Sequence, residues 1–336
     1  HLAACGSRRF VMSHLTGENL DGMAYDKDSD VLAMDFVRSD CIPAGSWFTV
    51  NFPEISQVEH HPFSACRLLL VNGGQTTIVR FLAKVNSADP SSWTARVAKR
   101  VSEAQAANPD DRAVFKEYRL HGPYGVVEVS PKVYRHILLV AGGMGITPFL
   151  LMLQQILIND THSVGPTANK LSVTLLWAVR SPPVLEVFIH DLHALKGKLA
   201  QAYPNIHVEM RVFCTVANDP VGKAQLAPNP YVRTMGITCH ERPDFDRELD
   251  SLSQVWAPHV QKHAVREAQQ PAAAAPASPE KGAVRKPKSE SDIRAANYSV
   301  ATYVSGPTSF TDAAAKALKK KRGEFSFHVH VENFKL

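Results

Sequence analysis

The chain has 336 residues, of which 45% are apolar and 21% charged, a globular composition with room for roughly two domains of about 150 residues. That balance excludes a wholly disordered, collagen-like or disulfide-scaffold protein. Lys and Arg number 37 against 32 Asp and Glu, a formal charge of +5; the excess is too small and dispersed to make nucleic acid an expected partner, while phosphate-bearing small molecules stay open.

Up to about residue 130 the sequence predicts short strands separated by turns. Val31–Val37 and Ser46–Asn51 flank a Pro43-Ala-Gly45 turn, and Leu68–Val71, Asn72-Gly-Gly74 and Thr76–Phe81 predict a hairpin. A helix is expected from about Ser91 to Ala106, where Trp93, Val97 and Val101 share one face and the Ser91 and Ser92 hydroxyls lie near the start. This is a barrel or sandwich pattern. The uncharged stretch His136–Asn159 is long enough for a membrane span, but Gly142, Gly143, Gly145 and Pro148 divide it into strand, turn and helix.

Strands and helices alternate from there: Ile137–Val140, Thr147 to about Ile158, Leu171–Trp177, Leu185 to about Leu199, and Ile206–Phe213. Such alternation predicts a doubly wound parallel sheet. The Pro- and Ala-rich run Gln269–Pro279, followed by Lys- and Ser-rich sequence to Arg294, cannot bury enough apolar surface to fold, so a disordered insertion is expected over about 218–296. A strand over Tyr298–Ser305, a helix over about Ser309–Lys320 and a strand over Glu324–Glu332 then complete the second unit. The expected division is a barrel domain over 1–133 and an α/β domain over 134–336, interrupted by the insertion. Cys5, Cys41, Cys66, Cys214 and Cys239 show no CxxC spacing, so no metal cluster is expected and a reducing compartment fits better than secretion. The start at His1, with no basic-then-apolar leader, suggests a piece of something larger.

Several motifs carry chemistry. His61-Pro-Phe-Ser64, followed by Ala65 and Cys66, supplies an aromatic ring, a hydroxyl and a donor, which together suit a planar flavin. The alternative is a turn leading into a strand, with Phe63 in the core. Thr77-Ile-Val-Arg80 ends in a cation that either approaches a phosphate or lies exposed on its strand. His121-Gly-Pro-Tyr-Gly125 permits a tight backbone turn through Gly122 and Gly125 around Tyr124. Val140-Ala-Gly-Gly-Met-Gly-Ile-Thr-Pro148 follows an apolar strand and opens a helix, the setting of a pyrophosphate-binding turn, with Gly142, Gly143, Gly145, Thr147 and Pro148 as candidate contacts. Leu175-Leu-Trp-Ala-Val-Arg180 ends a strand without Asp or Glu, and Arg180 suits a 2′-phosphate better than a ribose hydroxyl. His328 and His330 share a strand face without a third ligand nearby, and Lys319-Lys-Lys-Arg322 closes a helix where cations favour the dipole; both are read as solvated surface.

Together these strings resemble the NADPH oxidase and ferric reductase family: His61–Ser64 its HPFT signature, His121–Gly125 its DGPYG element, Val140–Phe149 its VAGGIGVTPF turn, Val304-Ser-Gly-Pro-Thr308 its CGP element, and Phe325–Phe334 its terminal ENF strand. The resemblance implies a six-stranded antiparallel FAD barrel followed by an NADPH-binding doubly wound domain. It further implies FAD contacts at His61, Pro62, Phe63, Ser64, Ala65, Cys66, Arg80, Gly122, Tyr124 and Gly125, with Phe63 packed on the flavin ring and Ser64 near N5. NADPH would meet the glycine turn, Arg180, Ser305, Gly306 and Pro307, while Ser305 and Phe334 position or gate the nicotinamide beside the flavin. Ser64, Ser305 and Phe334 are thus the expected catalytic positions, with no metal. Ser305 replaces a Cys of the family pattern and His121 an Asp. The implied activity is electron transfer from NADPH through FAD to haem in an attached membrane domain, with oxygen or ferric iron as final acceptor, at the cytosolic face of a membrane. A regulatory protein at the insertion is a further candidate partner. A freestanding ferredoxin–NADP reductase-like enzyme and a non-catalytic flavin scaffold or sensor are the rival readings.

Overall fold

The computed structural model describes residues 13–16, 20–38, 42–71, 76–108, 114–125, 134, 136–159, 171–202, 206–215, 238–239, 242–256, 299–321 and 325–333. Seven antiparallel strands form the first sheet: β1 (Ser13–Thr16), β2 (Leu20–Asp26), β3 (Val31–Arg38), β4 (Trp47–Asn51), β5 (His61–Val71), β6 (Thr76–Lys84) and β7 (Glu117–Tyr124). Their order is β1-β7-β4-β5-β6-β3-β2, one strand more than the family barrel implies, and among the described residues no pairing joins β1 to β2. Alternation drives this half. Met34 and Phe36 on β3, Phe48 and Val50 on β4, and Val79 and Phe81 on β6 turn to one core, which α1 (Trp93–Ala107) closes with Trp93, Val97 and Val101. Each such buried side chain stabilises by about 1.5–3 kcal/mol relative to exposure. The Ser92 hydroxyl caps α1 by accepting from the Ala95 N–H at 3.3 Å.

The second sheet is wholly parallel. It contains β8 (His136–Gly142), β9 (Leu171–Val179), β10 (Ile206–Cys214), β11 (Thr238–Cys239), β12 (Ser299–Gly306) and β13 (Ser326–Asn333), in the order β11-β10-β9-β8-β12-β13. Strands buried on both faces read as continuous apolar runs, as β8 does. Ile137 and Leu139 pack with α2 (Thr147–Asn159) and α3 (Pro182–Ala202), whereas Leu138 and Val140 face α4 (245–256) and α5 (Thr308–Lys320). Strand order reverses at β8, with β9 on one side and β12 on the other, so a crevice opens at the carboxyl ends of these strands. The span-length stretch from His136 is strand, turn and helix, and no helix among the described residues is long and apolar enough to cross a membrane.

Part of the expected insertion, 218–296, is folded. β11 pairs with β10, and α4 packs Leu249, Leu252 and Trp256 against the sheet. The helix carries its own signals: Asp244 Oδ1 accepts from the N–H groups of Asp246 and Arg247, and the apolar stripe recurs at helical spacing. Ion pairs hold its outer face, Glu248 to Arg211 at 2.5 Å, Asp246 to Lys320 at 2.6 Å, and Asp250 to Lys321. The Pro/Ala-rich run and the expected boundary at 133 both lie outside the described residues.

The two sheets meet along α2. The Gln154 side chain accepts from the Leu68 N–H at 3.0 Å and donates to its carbonyl at 2.5 Å, while Gln155 donates to the Ile42 carbonyl at 2.6 Å. Leu151 enters the first core, and Ala44 and Cys66 enter the second. If α4 is structural, Leu252→Ala should cost about 2–5 kcal/mol, because a fully buried side chain leaves a cavity. Urea unfolding measures this, and an unchanged midpoint would remove α4 from the cooperative unit.

Candidate functional site

A cleft of about 620 Å³ lies at the carboxyl ends of β8, β9, β10 and β12. Its floor is Gly142 and Gly143; Arg180 and Thr215 form one wall, Arg242, Pro243 and Phe245 a second, and Pro307, Ser309 and Phe310 a third. Gly143 has φ 54°, and a Cβ built on it would meet nothing within 4 Å, so its backbone faces open space where a ligand can approach. Trp177 holds this turn from behind, its indole N–H donating to the Gly143 carbonyl at 3.0 Å. Gly145 is the opposite case: a Cβ there would lie 2.2 Å from the Ser305 carbonyl oxygen. The Thr147 hydroxyl donates to the Met144 carbonyl at 3.0 Å. Gly145, Thr147 and Pro148 therefore support the turn from outside the cleft lining, whereas Gly142, Gly143, Arg180 and Pro307 belong to it.

Ser305 ends β12 beside this turn. It is 1% exposed, and among the described residues its hydroxyl has no hydrogen-bond partner. Gly306 follows with its Cα side against Gly142. Across the parallel pair Ser305 lies opposite Glu332. Burial raises the Glu332 carboxyl above its ordinary range, against the lowering effect of His330 at 3.6 Å. Phe334 lies outside the described residues.

On the first sheet, alternation splits the predicted flavin set. His61, Phe63 and Ala65 turn toward the first core: the His61 ring stacks on Trp93 at 4.5 Å, and Phe63 is tilted on it at 5.9 Å. Burial lowers the His61 pKa, with Glu59 opposing. Pro62, Ser64 and Cys66 project to the other side. The buried Cys66 thiol donates to the Arg80 carbonyl at 3.1 Å, and burial pushes its pKa up. Arg80 itself is occupied. Its Nε and Nη2 bind the two oxygens of Asp35 at 2.7 and 2.6 Å, a bidentate pair that holds the guanidinium on the barrel wall. Gly122, Tyr124 and Gly125 line up beside Trp47 on the neighbouring β4, with the Trp47 and Tyr124 rings 4.6 Å apart. His121 stacks with His60 at 5.3 Å.

Sequence reasoning missed Arg242 and Phe245, which fell within the expected insertion, and Phe310, which packs edge-on against Phe245 at 5.3 Å. Asp244 before an apolar stripe was the available signal. Trp177 carried no signal, since its indole contact joins two strands that are distant in sequence.

A family profile described as the ferric reductase NAD binding domain matches residues 134–318. The chain belongs to the ferric reductase NAD-binding domain family. This ferric reductase-type domain is 26% identical over 175 residues to ferric reduction oxidase 8 of Arabidopsis thaliana, covering 52% of the chain and 22% of that protein. It is 24% identical over 182 residues to a superoxide-generating NADPH oxidase heavy chain subunit of Dictyostelium discoideum, covering 52% and 32%. The chain thus spans less than a third of either relative. A ferredoxin–NADP+ reductase variant from Plasmodium falciparum shares the fold at TM-score 0.51 and 11% identity, over 96% of this chain and 95% of that one. The matched description assigns an NAD-binding domain to residues 134–318.

The two glycines predict different outcomes. Gly143→Ala should cost about 1–2 kcal/mol through the left-handed backbone at φ 54° and also weaken nucleotide binding, because the methyl enters the cleft. Gly145→Ala should lower stability by about 1–3 kcal/mol through the clash with the Ser305 backbone. Thermal melts and nucleotide titrations of both variants check this. Glu332 predicts a pH effect. A carboxyl whose folded-state pKa lies above its unfolded value of 4.5 favours the fold most below 4.5, and that contribution is lost as pH rises through the raised value. Glu332→Gln should remove that decline, as Tm against pH would show.

Proposed function

We propose that the chain is the dehydrogenase portion of a membrane ferric reductase or NADPH oxidase, moving electrons from NADPH through FAD to a haem in an attached membrane domain, with ferric iron or oxygen as final acceptor. The observation that carries the nucleotide assignment is the cleft at the strand-order reversal, where Arg180 and Arg242 stand above an open glycine turn. Among the described residues neither arginine has a carboxylate partner, so both guanidinium forks are available for an anion. The family relationship and the fold support the remaining steps, and the membrane character of the relatives supports a position at the cytosolic face of a membrane. A regulatory protein acting at the insertion belongs to this same reading.

When bound, NADPH supplies a hydride and FAD divides that electron pair into single electrons. The residues hold and aim these groups. Gly142 and Gly143 admit the pyrophosphate to the backbone at the start of the helical turn, where N–H groups and the dipole favour negative charge. Arg180 and Arg242 grip the 2′-phosphate that distinguishes NADPH from NADH. Ser305, with an unsatisfied hydroxyl beside the turn, takes a polar group from the nicotinamide end. Ser64 projects from β5 on the side away from the first core and would offer its hydroxyl to the flavin. Arg80, bound to Asp35, stands on the barrel wall, where its remaining guanidinium N–H groups would meet the FAD phosphates.

Arg180→Ala and Arg242→Ala should each raise the KM for NADPH by about tenfold or more while changing that for NADH little, since a charge-assisted pair to phosphate is worth about 1.5–3 kcal/mol. Equal effects on both nucleotides would remove the phosphate assignment. Anaerobic mixing of the FAD-loaded protein with NADPH should bleach the flavin absorbance, faster than with NADH. Bound flavin that stays oxidised would refute the dehydrogenase reading.

A further inference from the structure

The geometry points to Gln154 as a positioning residue for electron transfer: its side-chain amide takes the place of a strand on β5 and so sets the glycine turn at the head of α2 against the strand that bears Phe63 and Ser64. The inference rests on the dehydrogenase reading above and says what aligns its two halves. β4 pairs with β5 only from His61 to Ser64, and a bond from the Ala65 N–H to the Ser46 carbonyl at 2.9 Å closes that ladder. The next residues carry a bulge, where the β5–β6 register shifts between Ala65 and Arg67. Leu68 lies just past it and is 6% exposed, so its N–H and C=O need partners within the fold. In an antiparallel ladder a facing residue would exchange both bonds with it. Gln154 does this with a side chain, accepting from the Leu68 N–H at 3.0 Å and donating to the Leu68 carbonyl at 2.5 Å.

The other ties between the halves are looser. Gln155 holds one carbonyl, that of Ile42, and Arg67 meets Asp191 of α3 at 3.4 Å between partly exposed side chains, a kind of pair worth about 0–1 kcal/mol. Leu151, Ala44 and Cys66 resist separation of the halves, but apolar contact has no direction. The two-point bond alone fixes how far β5 slides along α2. Gln154 stands about two turns from Thr147, and the turn with Gly143 and Gly145 runs straight into that helix. Leu68 lies on the same strand as Ser64. A slip at this joint therefore passes along two stiff elements to the places where nicotinamide and flavin would lie, and a displacement of about 1 Å can cost about 100-fold in rate.

Gln154→Met keeps the length and helix preference of the side chain but removes both bonds. In the FAD-loaded full chain it should slow flavin reduction at saturating NADPH about tenfold or more, while the dissociation constants for FAD and NADPH stay within about twofold. A merely structural residue would lower Tm and leave that rate unmoved well below the melt. Hydrogen exchange of the chain without nucleotide reads the joint itself: the Leu68 amide should be protected about 100-fold or more in the wild type and lose most of that protection in Gln154→Met. The proposal is overturned if Gln154→Met reduces flavin at the wild-type rate, if its loss only follows weaker FAD or NADPH binding, or if the wild-type Leu68 amide exchanges freely. Should Gln154→Met fail to fold, Gln154→Asn, which keeps the amide but falls one methylene short of Leu68, is read by the same criteria. Wild-type flavin that NADPH does not reduce would bring down the dehydrogenase reading, and this proposal with it; a wild-type rate retained by the variants would bring down this proposal alone.

Discussion

The site depends on backbone pressed against backbone where β8 and β12 part. Gly145 stands so close to the Ser305 carbonyl that a single added carbon would overlap it, and Gly306 lies against Gly142 in the same way. No side chain fits between these turns, so their spacing is set by main-chain contact rather than by adjustable packing. The cleft floor inherits that spacing. Trp177 then fixes the remaining freedom by donating to Gly143 from β9, and the arginines at the strand and helix ends are placed relative to a floor that cannot shift.

The helix that begins at this turn also fixes the other half of the molecule. Near Leu68, the β5–β6 register shifts between Ala65 and Arg67, leaving the main chain at an irregular place in the ladder. Buried N–H and C=O groups must find partners, and the Gln154 amide supplies both at Leu68. The same α2 places Leu151 in the first core. One helix thus connects the strand bearing Ser64 to the turn bearing Gly143.

Much of this was legible in the sequence. Strand–helix alternation after residue 134, the glycine turn, the Ser92 cap and the terminal strand are local or short-range patterns, and they emerge at nearly the expected bounds. The misses have physical causes. Residues 245–256 were hidden by low-complexity sequence downstream, although Asp244 and the stripe of Leu249, Leu252 and Trp256 specify a capped, amphipathic helix on their own. That half-buried Phe63 packs beside Trp93 follows from registry with Phe48, which its motif position does not show. Registry is a property of two strands together, and one strand's sequence does not reveal it.

Arginine shows the same limit most sharply. Arg80, Arg96, Arg211, Arg180 and Arg242 are alike as letters, yet Asp35 takes the first, Glu59 the second, and Glu209 with Glu248 the third. Each of those guanidinium groups has its charge answered inside the fold, and each fastens one element to another. Arg180 and Arg242 alone among these five face a cleft with no carboxylate beside them in the described structure. A planar cation left unanswered at the rim of an open backbone turn is a site for an anion brought from outside. Neighbours that tertiary structure supplies, rather than residue type or position in a motif, separate the arginines paired within the fold from those open to a ligand.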